Sequence, residues 1–307
     1  MSSQTNKQPT LKKISKGLTV GSIMTGSTFF HGPPVLALGL TKLFKKSKKV
    51  DETNIKITNS WLTVNNWLID HVLPNTKWDI TIDEGLDLNL HGRYLMTCNH
   101  QSWVDTTVNQ YFGLTRMPLT RFFTKWELIF IPFVGQAFKI LGFPMMKRHS
   151  KEQIAKNPEL KYRDMEEARK SCEQLLSQPF TLLNYLEGTR FTPEKHVQQQ
   201  SPYQNLLKPK AGGLALALNI LGDQVDALVD MTIVYPNGAP GYGEFWLGEV
   251  PRIAVDLRKI EIPTWVHGGN YEDDAEFREK FQHWVDELWT EKDQLITRMK
   301  AKYSVTE

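Results

Sequence analysis

His100 and Asp105 stand five residues apart in Leu95-Met-Thr-Cys-Asn-His-Gln-Ser-Trp-Val-Asp105. On one continuous helix such a pair lies about 140° apart, so the side chains meet only if His100 precedes the first turn. A strand that gives way to a helix near Ser102 supplies that junction, and strand ends are where α/β proteins carry reactive groups. There Asp105 can accept a hydrogen bond from one imidazole nitrogen and fix the tautomer. The other nitrogen is then left to take a proton from a substrate hydroxyl. Ser102-Trp-Val-Asp105 also reads as a capping box in which Asp105 serves the helix N-terminus, and on this reading the two roles compete for one carboxylate. His283 with Glu287 four residues on reads as a solvated pair on a polar helix.

Cations gather at three other junctions. Phe180-Thr-Leu-Leu-Asn-Tyr-Leu-Glu-Gly-Thr-Arg190 is an apolar strand ending in a glycine turn, where backbone donors and Arg190 can converge on a phosphate. Gly142-Phe-Pro-Met-Met-Lys-Arg148 ends an apolar stretch in two cations, and Lys208-Pro-Lys-Ala-Gly-Gly213 delivers Lys210 at the mouth of an apolar helix. Each alone also reads as a solvated charge or a turn glycine. Together they invite an anion, with charge-assisted hydrogen bonds of about 1.5–3 kcal/mol each.

The elements that position these groups alternate. Ile57, Trp61, Val64, Trp67, Leu68 and Val72 recur at helical spacing up to Pro74. Strands are expected over 77–82, 94–98, 121–125, 144–148, 180–186, 227–235 and 252–260, with helices near 102–112, 159–177 and 211–221. This order predicts an α/β fold, a sheet packed by helices. Phe277, Phe281, Trp284 and Leu288 form a last helical stripe, read as core contact, as are Phe130, Ile131, Phe133, Val134 and Phe138, whose alternative use is an acyl groove.

The 307 residues suffice for one large α/β domain or two modest ones. Hydrophobic residues at 40% exclude a disordered chain, and two cysteines, Cys98 and Cys172, supply neither a disulfide framework nor a zinc site and fit a reducing compartment. Residues 1–50 hold nine Lys and no acid, leaving the rest with six more acids than bases. A basic head on an acidic body argues against nucleic acid and for an anionic lipid surface. The uncharged run 18–41 would suit a membrane span in length, but Pro33 and Pro34 interrupt it. It is expected to break into two short helices, a hairpin dipping into one leaflet, the alternatives being a kinked transmembrane helix or a pair of core helices, with no cleavable signal peptide. The expected organisation is thus a basic membrane-associating segment over 1–50 and a catalytic domain over 51–307.

The ordered set of motifs resembles the glycerolipid acyltransferases typified by the 1-acylglycerol-3-phosphate acyltransferases. Asn99 to Asp105 is similar to the family's His-x4-Asp block, Gly142 to Arg148 to its second block, Glu187-Gly-Thr-Arg190 to its third and Val229 to Pro236 to its fourth. A lone His-x4-Asp is common by chance, whereas the ordered set is specific. Trp103 and the run from Val225 look more like the lysocardiolipin-acyltransferase-like branch and its bacterial relatives. Where the family commonly carries Phe-Pro before the third block, this chain has Tyr185-Leu186.

The resemblance implies a mixed sheet flanked by helices and preceded by a helical membrane motif. It implies His100 as general base and Asp105 as its partner, with Arg148, Glu187, Gly188, Thr189, Arg190 and Lys210 binding substrate and Arg190 on phosphate. Acyl-CoA or acyl carrier protein is the implied donor and a lysophospholipid the acceptor, most directly 1-acyl-sn-glycerol-3-phosphate going to phosphatidic acid. No cofactor or metal is expected. The implied location is a bacterial inner membrane, with the active site on the cytoplasmic side. The competing readings are a lipid-binding protein of this fold without turnover and a hydrolase in which His100 activates water.

Overall fold

Tyr94, Met96 and Cys98 alternate with Leu95 and Thr97 along β2 (Arg93–Cys98), and the period of two sends the sets to opposite faces of the sheet. The computed structural model describes residues 11–42, 44, 47–146, 152, 156–157 and 159–304. Strands β1 (Lys77–Ile82), β2, β3 (Thr120–Phe122), β6 (Phe180–Tyr185), β7 (Ala227–Val234) and β8 (Arg252–Ile260) form one sheet in the order β1-β8-β7-β2-β6-β3. Between β3 and β6 in sequence, β4 (Thr124–Lys125) and β5 (Met145–Met146) make a separate two-stranded pair. Strands β7, β2, β6 and β3 run parallel, β8 is antiparallel to β7, and β1 is parallel to β8. The sheet is therefore mixed, as the motif resemblance implies.

The helices are α1 (Leu11–Thr41), α2 (Lys48–Val72), α3 (Val104–Gly113), α4 (Val134–Ile140), α5 (Glu159–Leu175), α6 (Pro193–Gln199), α7 (Gly212–Leu221), α8 (Tyr242–Leu247) and α9 (Ala275–Ser304). Leu68 and Ile69 of α2 and Val108 and Phe112 of α3 pack on the Tyr94–Met96 face. Leu175 of α5, Leu214 and Leu218 of α7, and Phe281 and Trp289 of α9 pack on the Leu95 face. The buried line of α9 runs Phe281, Val285, Trp289 and Ile296; of the stripe expected from sequence, Phe281 is fully buried, while Phe277 and Trp284 pack at its margin. Fully buried Lys292 joins this line because its Nζ meets Asp230 Oδ1 and the Met231 carbonyl, each at 2.8 Å. Arg258 holds the other Asp230 oxygen at 2.8 Å, so the buried charges are paired.

The expected break at Pro33–Pro34 does not occur: α1 is one helix of 31 residues. Both prolines lie on its exposed side, where the carbonyls that lose donors can be solvated. On the opposite side α1 meets α4 so closely that a Cβ on Gly32 would come within 2.8 Å of Phe133, and one on Gly39 within 2.3 Å of Ile140. Packing thus offsets the missing backbone bonds. The second arm of the hairpin is α2, joined by His31 Nε2 to Ser60 Oγ at 3.2 Å and by the Lys42–Asp51 ion pair. Among the described residues, head lysines engaged by the chain itself include Lys42, half-exposed Lys13, which pairs with Glu249, and Lys16, which donates to the Val72 carbonyl at 2.8 Å. Among the described residues no helix is long and apolar enough to cross a membrane.

Candidate active site

Three neighbouring parallel strands, β7, β2 and β6, deliver the site from their C-terminal ends. The register aligns Cys98 with Tyr185 on one side and Met231 on the other, so the turns that follow lie side by side. Asn99 fixes the β2 turn to β7 by accepting from the Ile233 N–H at 2.9 Å and donating to its carbonyl at 2.8 Å. The loop carrying His100 ends at α3, which begins at Val104.

His100 Nδ1 lies 2.8 Å from Asp105 Oδ2. Since a carboxylate only accepts, the proton sits on Nδ1 and Nε2 presents a lone pair. No described residue hydrogen-bonds Nε2, and the imidazole remains 13% exposed. Its ring stacks on Tyr185, with centroids 4.1 Å apart. The residue that stands in place of the usual Phe-Pro therefore supplies a flat support.

The two roles read for Asp105 do not compete. Its Oδ2 also accepts the Gln101 N–H at 2.6 Å and the Ser102 N–H at 2.8 Å, while Oδ1 accepts the Tyr235 hydroxyl at 2.7 Å. A single oxygen, Oδ2, therefore serves the helix start and the imidazole together, which it can do because the Tyr235 hydroxyl occupies Oδ1 instead of adding a fourth donor to it. Asp105 is buried, so each of these donors offsets the cost of taking its charge from water.

Glu187, read as a substrate-binding residue, has both oxygens engaged by the protein's own backbone. It is wholly buried, and its oxygens accept the His100 N–H at 2.7 Å and the Leu207 N–H at 2.9 Å. It fixes the backbone at His100. Burial pushes its carboxyl up to about 8 against the pull of the two backbone donors. The native state then keeps a proton that the unfolded chain, with a glutamate near about 4.3, has released. Its contribution to unfolding free energy should consequently fall as pH rises toward about 8. Urea denaturation of the parent and Glu187→Gln across pH 5–8 tests this, with the steeper decline expected in the parent. The variant should also lose about 1–3 kcal/mol, because its amide nitrogen faces a backbone donor.

Gly188 adopts φ +64, a left-handed conformation that disfavours side chains, and the Lys210 side chain lies over it where a Cβ would come within 3.3 Å. Lys210 is anchored by its N–H to the Leu186 carbonyl at 2.7 Å. The Thr189 hydroxyl accepts from Lys195 Nζ at 2.8 Å, and the same ammonium reaches the Arg190 carbonyl at 3.0 Å. Arg190 places its guanidinium 4.4 Å over the Trp103 ring, and the next residue, Phe191, donates its N–H to the His100 carbonyl at 2.7 Å. Arg190 therefore stands beside the dyad. Arg148 lies outside the described residues. Sequence reading missed Lys195 and Tyr235; the Thr192-Pro193 helix start that presents Lys195 was its only local signal.

Beyond Asp105, a cavity of about 340 Å³ opens along the face of α3 that carries Thr106 and Asn109. Met24 of α1, Leu62 of α2, Phe138 of α4 and Leu183 of β6 line it. Of the residues read as core or acyl groove, Val134 and Phe138 line this cavity, whereas Phe130 and Ile131 are exposed.

The Acyltransferase family model matches residues 79–236, just over half of the chain and all the junctions described. The chain belongs to the acyltransferase family. Relatives include a 2-acyl-1-lysophosphatidylinositol acyltransferase of Saccharomyces cerevisiae, 24% identical over 259 residues, covering 68% of this chain and 62% of the relative. The 1-acyl-sn-glycerol-3-phosphate acyltransferase delta of Mus musculus is 26% identical over 181 residues, covering 55% of this chain and 42% of the relative. The chain thus spans roughly two-fifths to three-fifths of these relatives' lengths. The crystal structure of the 1-acyl-sn-glycerophosphate (LPA) acyltransferase, PlsC, from Thermotoga maritima aligns over 94% of this chain and 97% of that one, with a TM-score of 0.54 and 17% identity. That likeness establishes the shared fold.

Proposed function

We propose that this acyltransferase moves a fatty acyl group from a thioester, acyl-CoA or acyl carrier protein, to the free hydroxyl of a lysophospholipid. The preferred acceptor is 1-acyl-sn-glycerol-3-phosphate and the product phosphatidic acid. The observation that carries this reading is the His100–Asp105 dyad, whose Nε2 no described residue hydrogen-bonds, with the Arg190 guanidinium over Trp103 in the same loop and a mostly apolar cavity along the helix that carries Asp105. The names of the relatives point to the same acceptor class.

In this mechanism His100 Nε2 takes the acceptor's hydroxyl proton as that oxygen attacks the thioester carbonyl. Asp105 balances the imidazolium. The tetrahedral intermediate expels the sulfur, which leaves as the thiol after taking the proton from His100. Arg190 and Lys210 hold the acceptor phosphate, and the cavity takes an acyl chain. A positioned base contributes about 10²–10⁴ in rate; fixing both substrates beside each other adds to this.

A panel of donors and acceptors, followed by thiol release, tests the reading. Release should require both a thioester and a lysophospholipid. Acceptor-independent release identifies a hydrolase, and binding without release a lipid carrier.

Association with a phospholipid membrane, on the cytoplasmic side of a bacterial inner membrane, belongs to the same proposal. Phe30 is 74% and Phe130 76% exposed, and Phe29 packs edge-on against Phe133 at 5.3 Å, joining the α1 face to the loop before α4 in one apolar patch. Burying one such ring contributes about 1.5–3 kcal/mol. Phe30→Glu with Phe130→Glu should therefore weaken cosedimentation with anionic phospholipid vesicles at least tenfold, and undiminished binding would refute this docking face.

A further inference from the structure

Tyr235 lies 130 residues from Asp105 in the chain and immediately beyond the end of β7. It is buried, and its hydroxyl donates to Asp105 Oδ1 at 2.7 Å. Burial, then the nearby Asp105 charge, keeps this phenol well above its ordinary range, so it remains a donor. The loop after it is tied to the same block, since Ser102 Oγ donates to the Pro240 carbonyl at 2.6 Å while accepting the Val104 N–H at 3.0 Å. With the Asn99–Ile233 pair, the end of β7 grips the His100 loop at three points.

The charge on Asp105 has a division of labour. Backbone N–H groups of Gln101 and Ser102 and the imidazole all converge on Oδ2, leaving Oδ1 to the phenol. Without that hydroxyl, a carboxylate oxygen in a buried site has no donor, and the carboxylate relieves the cost by turning or by taking up a proton. Either response spoils the acceptor that orients His100.

We propose that Tyr235 is a positioning residue for catalysis, holding the Asp105 carboxylate turned so that it orients His100 with Nε2 toward the acceptor hydroxyl. This rests on the acyl-transfer reading for its kinetic arm only. Phenylalanine keeps the ring and removes the donor, so Tyr235→Phe is the informative variant. Its kcat should fall about tenfold to a hundredfold, the range associated with one hydrogen bond to a charged group, with KM for both substrates within twofold of the parent. In a His100→Ala background the same change should have no further effect, because the phenol acts through the imidazole.

The proton resonance of His100 Nδ1 supplies a readout independent of turnover, and it should move in Tyr235→Phe. An unchanged kcat, a loss carried by KM, or a multiplied loss in the His100→Ala background overturns the proposal, as does an unmoved resonance. Should the parent transfer no acyl group, the function proposed above fails, and the resonance alone decides the role of Tyr235.

Discussion

His100→Ala should lower kcat at least a hundredfold while leaving the melting temperature within a few degrees of the parent. Among the described residues none hydrogen-bonds His100 Nε2, the ring is partly exposed, and a positioned base is worth about 10²–10⁴ in rate. The fold should survive because the backbone contacts of residue 100 remain, its N–H to Glu187 and its carbonyl to Phe191, although the ring's contacts with Asp105 and Tyr185 are lost. Asp105→Asn separates charge from geometry. The two backbone donors at Oδ2 favour placing the amide oxygen there and the amide nitrogen toward Tyr235, whose hydroxyl can turn to accept. The tautomer of His100 would be kept and the stabilising charge lost, so the loss should approach a hundredfold without unfolding. Asp105→Ala should additionally destabilise the protein, since three donors besides the imidazole lose their partner. Steady-state kinetics beside thermal unfolding of all three variants checks these outcomes. Full turnover in His100→Ala would end the base mechanism.

What sequence made legible was local. Five residues separate His100 from Asp105, so the strand-to-helix junction alone decides whether they meet, and periodicity exposes that junction. Arg190 and Lys210 were visible for a similar reason, being charges at the ends of apolar elements. Tyr235 and Lys195 were not, because a hydrogen bond across 130 residues depends on sheet order, and an ammonium folded back on its own turn looks like any surface lysine. The burial of Glu187 was not legible, because nothing in Glu-Gly-Thr-Arg tells a buried carboxylate from a solvated one. The pairing of β2 with β6 makes the difference, setting the His100 N–H on one oxygen, while the loop before α7 brings the Leu207 N–H onto the other. The proline break in α1 was a sound local inference, overturned by the close fit of Gly32 and Gly39 against α4, a contact about a hundred residues away.

Arg190→Ala should raise the acceptor KM about tenfold to a hundredfold and change kcat much less. Its guanidinium lies 4.4 Å over the Trp103 ring, and its chain neighbour Phe191 is hydrogen-bonded to the His100 carbonyl. The cation is therefore held at a fixed offset from the base. A phosphate bonded to it would place an acceptor hydroxyl a few bonds away near Nε2. Losing one charge-assisted hydrogen bond costs about 1.5–3 kcal/mol, which sets the expected range. Arg190→Lys keeps the charge but not the planar fork or its stacking, so its KM should fall between parent and alanine. Trp103→Ala should resemble a weaker Arg190→Ala, since a freed guanidinium must be ordered again on each binding event; a cation–π contact at an exposed site is worth about 0.5–1 kcal/mol. The control is an acceptor with the same acyl glycerol but no phosphate. If Arg190 binds phosphate, parent and Arg190→Ala should use that acceptor equally poorly. An equal fractional loss on both acceptors would move Arg190 from head-group recognition to the shape of the turn that carries it.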